Sequence, residues 1–125
     1  MERTVKTPGP DHPITVEPTA DRVVVRVGGR VIADTTRALT LREAAYPPVQ
    51  YIPLDDIAEG VLTPTDTLTY CPYKGDASYY TLTTADGVVA DAVWTYDKPY
   101  PAVGTIAGHV AFYPRYVELA VGENA

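Results

Sequence analysis

The sequence predicts an all-β domain: a sandwich or partly open barrel of short antiparallel strands, with one short helical turn. Apolar residues alternate with polar ones in short stretches, and glycine, proline and aspartate punctuate them. Nowhere does a 3.6-residue apolar spacing persist beyond one or two turns. At 125 residues the chain suits one domain, which at that length buries roughly two-thirds of the surface its unfolded form exposes.

Residues 1–18 carry Pro8, Pro10, Pro13 and Pro18 with little hydrophobic pattern. Proline fixes the backbone and donates no ladder hydrogen bond, so this stretch reads as a flexible arm. The ordered domain is expected over 19–121, followed by a short tail over 122–125. Arg22–Val27 and Arg30–Asp34 form a hairpin across Gly28-Gly29, because a primed turn needs positive φ and glycine adopts it freely. Arg37 to Glu43 continues the alternation and places Leu39, Leu41 and Glu43 on one face.

Tyr46-Pro47-Pro48 interrupts the chain before a short strand at Val49–Ile52. Pro53 to Ile57 reads as one helical turn, with Asp55 and Asp56 as its capping acids and Gly60 beyond it. Thr67–Cys71 is the next strand, and Pro72 and Gly75 force a turn. Ser78–Thr84 and Val88–Tyr96 flank a second hairpin signal, Ala85-Asp86-Gly87. Lys98 to Pro101 is a loop. His109–Tyr113 and Tyr116–Val121 close the domain.

The formal net charge of −6 opposes a nucleic-acid binder that works by phosphate neutralisation, and the arginines are scattered along strands. No run approaches the roughly 18 apolar residues of a membrane span. The opening residues show no secretory pattern. One cysteine closes no internal disulfide, and with His12 and His109 it makes no structural zinc set, so no metal or other cofactor is expected. A soluble, reducing, cytoplasmic setting follows, with no nucleic-acid or membrane partner.

The candidate site centres on Cys71-Pro72-Tyr73-Lys74-Gly75. Cys71 is either a nucleophile or redox thiol whose thiolate Lys74 would favour, a pocket wall, or a small buried hydrophobe. Lys74 offers a point charge to an anionic group, and Gly75 permits close approach to the backbone. Glu43, at the end of an apolar row, would have its pKa raised by desolvation toward proton-transfer range; a cation beside it would cancel that shift. Trp94 and Tyr96 share a strand face with Ala90 and Ala92, whose small side chains leave a recess under the rings. Ten tyrosines are hard to satisfy in a dry core, which favours an aromatic cleft.

These motifs, with Gly28-Gly29, Arg37-Ala38-Leu39, Tyr51-Ile52-Pro53 and Val110-Ala111-Phe112-Tyr113, resemble a bacterial family, domain of unknown function four-two-seven. It carries a provisional nucleotidyltransferase-type label. The resemblance spans roughly Arg22 to Val117. It implies a small all-β fold similar to the tent-like architecture of methionine sulfoxide reductase B and the cereblon ligand-binding domain. Those folds are pinned by paired Cys-x-x-Cys zinc ligands, which this chain lacks, and place ligands on an open aromatic sheet face. The glycine-serine turn and paired strand aspartates of polymerase-like transferases are missing here.

The resulting expectation is a module that binds a small polar or anionic ligand. Tyr73, Trp94 and Tyr96 would shape its cleft, Lys74 would attract charge and Glu43 would set orientation. The alternative is an enzyme using Cys71, with Glu43 or a tyrosine moving protons, or a nucleotidyltransferase-type activity.

Overall fold

The computed structural model describes residues 4–85 and 87–122. Residues 1–3 of the expected arm, residues 123–125 of the expected tail and Asp86 of the second hairpin turn lie outside the described residues. The domain is all-β, with ten strands in two antiparallel sheets: β1 (Ile14–Pro18), β2 (Val23–Val27), β3 (Arg30–Thr35), β4 (Leu39–Glu43), β5 (Val49–Pro53), β6 (Leu62–Cys71), β7 (Gly75–Thr84), β8 (Gly87–Thr95), β9 (His109–Phe112) and β10 (Glu118–Val121). Seven strands form one sheet in the order β1-β4-β5-β9-β8-β7-β6, and β10-β2-β3 form the other. Neither sheet closes into a barrel. No helix among the described residues is long and apolar enough to cross a membrane.

Strand alternation builds two cores. Val23, Val25 and Ile32 of the small sheet meet Ile52, Leu82, Val93, Val110 and Phe112 of the large one, filling the space between the sheets. The opposite face of the large sheet carries Leu41, Tyr51, Ala77, Tyr96 and Ala111. Val103 and Ile106, from a 3₁₀ segment at Pro101–Ile106, cover part of that face. The shorter 3₁₀ turn falls at Leu54–Asp56, where one helical turn is expected. Asp56 does not cap it; its carboxylate accepts from the Thr35 hydroxyl and the Arg37 guanidinium instead.

The amino-terminal stretch departs from the sequence reading. Ile14–Pro18 is not part of a flexible arm but pairs with β4 from Ile14↔Glu43 to Pro18↔Leu39. β1 is an edge strand, which tolerates Pro18 because only one of its sides needs donors, and Ile14 and Val16 pack on the second core. The segment before it also has partners: the Lys6 amide donates to the Pro72 carbonyl at 3.0 Å, and the Tyr70 hydroxyl donates to the Thr4 carbonyl at 2.7 Å.

Two irregularities shape the site. β5 and β9 pair only at Ile52↔Val110 and Pro53↔His109, so the strands part toward Val49 and Phe112. In β8 the register slips against β7, and Asp91 within that slip has φ of 55°. Aspartate tolerates this left-handed region better than most residues. The slip places Ala92 in the inter-sheet core, so the recess expected beneath Trp94 from Ala90 and Ala92 does not form that way.

Leu82 is fully buried in the inter-sheet core, whereas Leu68 on the outer strand β6 is 72% exposed. Leu82→Ala is expected to cost about 2–5 kcal/mol in urea unfolding, and Leu68→Ala less than about 0.5 kcal/mol. Equal losses would contradict this packing.

Candidate functional site

The hairpin of β6 and β7 brings Cys71 opposite Gly75, with Pro72, Tyr73 and Lys74 at its tip. The Lys74 amide donates to the Cys71 carbonyl at 3.2 Å, closing a tight turn. Gly75 takes φ of 109°, and an added Cβ would lie 3.5 Å from the Lys98 carbonyl oxygen. The turn therefore favours glycine there for its positive φ, while the 98–100 backbone would meet a Cβ only at ordinary contact distance.

β4 ends beside this tip and delivers Glu43. Its carboxylate accepts from Lys74 Nζ at 2.8 Å through Oε1 and from His12 Nε2 at 2.8 Å through Oε2. The Glu43 and Lys74 side chains are only 16% and 14% exposed, so each charge is matched by its neighbour rather than by water. His12 stacks flat on Tyr73, centroids 4.1 Å apart and planes 7° from parallel. Lys6 lies over the same Tyr73 ring, and Lys74 over that of Tyr96.

Charge pairing selects between the two readings of Glu43 and occupies Lys74. Burial pushes the Glu43 pKa up, but the hydrogen bonds and charges of Lys74 and His12 outweigh it and hold the carboxyl below its usual value. Glu43 is therefore an ionised anchor, not a carboxylic acid raised toward neutrality. Lys74 is spent on that carboxylate, so neither an incoming anion nor a Cys71 thiolate meets an unmatched ammonium.

Beneath this knot lie two phenols. Burial pushes the Tyr51 hydroxyl up to about 12, and burial raises Tyr96 further still; the nearby Glu43 charge adds to both effects. Both phenols stay protonated at ordinary pH. Cys71 is a free, partly buried thiol packed against the same cluster. Tyr51 links the knot to Trp94, whose indole Nε1 donates to the Tyr51 hydroxyl at 3.1 Å.

Glu43, Lys74, Cys71, Tyr73 and Tyr96 thus converge, and Trp94 joins them through Tyr51. They do not share one hollow. Trp94 borders a separate cavity of about 270 Å³, with Val49, Gln50, Phe112, Val117 and Leu119 among its lining residues. That cavity occupies the gap where β5 and β9 part, with Leu119 contributed by the small sheet. Gln50 is its polar member; the amide accepts from Thr19 at 2.7 Å and donates to Thr40 at 3.0 Å, which fixes its orientation. Tyr113 packs on Trp94 with centroids 4.6 Å apart.

Sequence reasoning missed His12, Tyr51 and Gln50. His12 sits among prolines, and Tyr51 and Gln50 alternate in an ordinary strand, so no local signal marks them. Among the described residues, no group of three His, Cys, Asp or Glu side chains is placed to hold a metal ion.

The chain belongs to the family described as Domain of unknown function (DUF427), whose model matches residues 15–123. No curated protein matches it.

Glu43→Gln is expected to cost about 1.5–3 kcal/mol at pH 7, the range for hydrogen bonds to charged groups. A carboxyl with a depressed folded pKa stabilises above its unfolded pKa and loses that contribution as pH falls through the folded value. The urea-measured gap between wild type and Glu43→Gln should therefore shrink from about pH 5 downward. A gap constant down to pH 3, or one widening with acid, would contradict the pairing.

Proposed function

We propose that this domain binds a small, flat, largely apolar molecule bearing a polar edge, in the cavity beside Trp94. One observation carries the reading: the chain's single tryptophan is held by Tyr51 at the border of an open, mostly apolar cavity between parted strands. A domain that leaves the edge of a largely buried indole open beside Phe112, Val117 and Leu119 forgoes burial worth about 25 cal/mol per Å² of that exposed edge unless a ligand covers it. The volume of about 270 Å³ lies just below the range of drug-sized sites and suits one or two rings. Gln50, fixed by Thr19 and Thr40, supplies a donor and acceptor for the polar edge. The aromatic sheet-face site implied by the tent-like resemblance points to the same tryptophan.

In this proposal Glu43, Lys74 and His12 hold the frame on which Tyr51 and Trp94 are set. Lys74, held by Glu43, offers an anionic ligand no unmatched charge. Nucleotidyl transfer needs cations for phosphate at its cleft, and the lining beside Trp94 is mostly apolar, so neither that activity nor thiol catalysis by Cys71 enters the reading. The free thiol and acidic balance suit a reducing, cytoplasmic setting without a nucleic-acid partner.

Titration with a panel of indole, quinoline and 2-quinolone should quench or shift Trp94 fluorescence saturably and raise the melting temperature. Leu119 is 37% exposed at the cavity's edge, so Leu119→Trp fills the space with little cost to the fold. That variant is expected to weaken binding by about tenfold or more, equivalent to about 1.4 kcal/mol. Failure of every ring system, or unchanged affinity in a folded Leu119→Trp, would sink the proposal.

A further inference from the structure

A second cavity of about 270 Å³ lies on the other side of the chain that follows β9. Phe112, Pro114 and Val117 border the Trp94 cavity, whereas Tyr113, Arg115 and Tyr116 border this one together with Asp91. Its character is opposite to the first: one carboxylate, one guanidinium and two phenol rings.

Asp91 is held in a defined orientation. Its φ of 55° sits inside the β8 register slip, and the hydroxyls of Thr65 and Thr67 donate to Oδ1 and Oδ2, each at 2.7 Å. A carboxylate accepts about four hydrogen bonds, so acceptor capacity remains on both oxygens. The hydrogen bonds from Thr67 and Thr65, working against partial desolvation, keep the Asp91 carboxyl below its usual pKa, hence ionised.

Tyr113 and Tyr116 meet at 87° with centroids 6.5 Å apart, forming an aromatic corner. Ring faces attract ammonium groups. Arg115 is exposed, with its guanidinium 5.9 Å from the Tyr116 centroid. Among the described residues, neither Asp91 nor Arg115 makes an ion pair, although they border the same cavity. Opposite charges that face one small space without closing on each other leave a positive and a negative pole available together.

We propose that Asp91, Arg115, Tyr113 and Tyr116 form a site for a zwitterionic α-amino-acid group. Asp91 and the aromatic corner receive the ammonium, and Arg115 receives the carboxylate through its planar pair of donors. A simple cation would leave Arg115 unmatched, and a simple anion would face the Asp91 charge. The two cavities are lined by different residues, although Tyr113 of this site packs on Trp94 of the other.

The test uses the full chain and L-alanine, with alaninamide (no carboxylate) and N-acetylalanine (no ammonium) as controls, read by the Tyr113 and Tyr116 ring resonances. Alanine is expected to shift both rings saturably, and each control to bind about tenfold more weakly, the loss of one charge-assisted contact. Asp91→Asn retains the left-handed backbone, because asparagine favours that region, and Arg115→Gln removes an exposed side chain; each should lower alanine affinity about fivefold or more. The Leu119→Trp variant should bind alanine as wild type does, which separates this site from the Trp94 cavity. No saturable shift, alaninamide binding as well as alanine, or unchanged affinity in folded Asp91→Asn and Arg115→Gln would each overturn the assignment.

Discussion

A carboxylate gripped from both sides organises this domain. Glu43 accepts one hydrogen bond from His12 and one from Lys74, each 31 residues away along the chain. Through it the segment before β1, the end of β4 and the tip of the β6–β7 hairpin become one unit. None of the three groups is well solvated, so removing any one would leave a charge or polar atom with poor compensation. The stacking of His12 on Tyr73 then lays the amino-terminal segment over the hairpin tip.

That pairing decides which residues remain available for chemistry. A lysine in a turn beside a cysteine invites an enzymatic reading, and an acid ending an apolar row invites a proton-transfer one. Joined at 2.8 Å, each satisfies the other, and the carboxyl pKa falls rather than rises. What the knot leaves over is aromatic: Tyr51 held deep, Trp94 hydrogen-bonded to it, and Tyr113 packed on Trp94. The ligand-facing surface is therefore displaced from the hairpin tip to the gap between β5 and β9.

Much of the scaffold was legible in the sequence because strand alternation and turn chemistry are local. The Gly28-Gly29 hairpin, the Leu54–Asp56 turn and the Cys71–Gly75 tip follow from residues adjacent in the chain. β1 was hidden because prolines at 8, 10, 13 and 18 mask a strand whose apolar positions are only Ile14, Val16 and Pro18. Convergence of Glu43 with Lys74 was anticipated, as was the effect of a neighbouring cation on the carboxyl, but the 2.8 Å contact itself and the part of His12 depend on the fold. The parting of β5 from β9 and the left-handed Asp91 depend on pairing across the sheet, which no single strand encodes.

Division of labour between a structural charged knot and a ligand-facing tryptophan is the claim on which the functional reading stands. Its most direct measurement is the affinity of the best heteroaromatic probe, followed at the single indole N–H resonance, in wild type and in Glu43→Gln/Lys74→Met. If the knot serves only as framework, the folded double variant is less stable yet binds within about twofold of wild type, a difference well under 1.4 kcal/mol. A folded double variant that binds more than about tenfold more weakly would place Glu43 and Lys74 in ligand recognition and contradict the account.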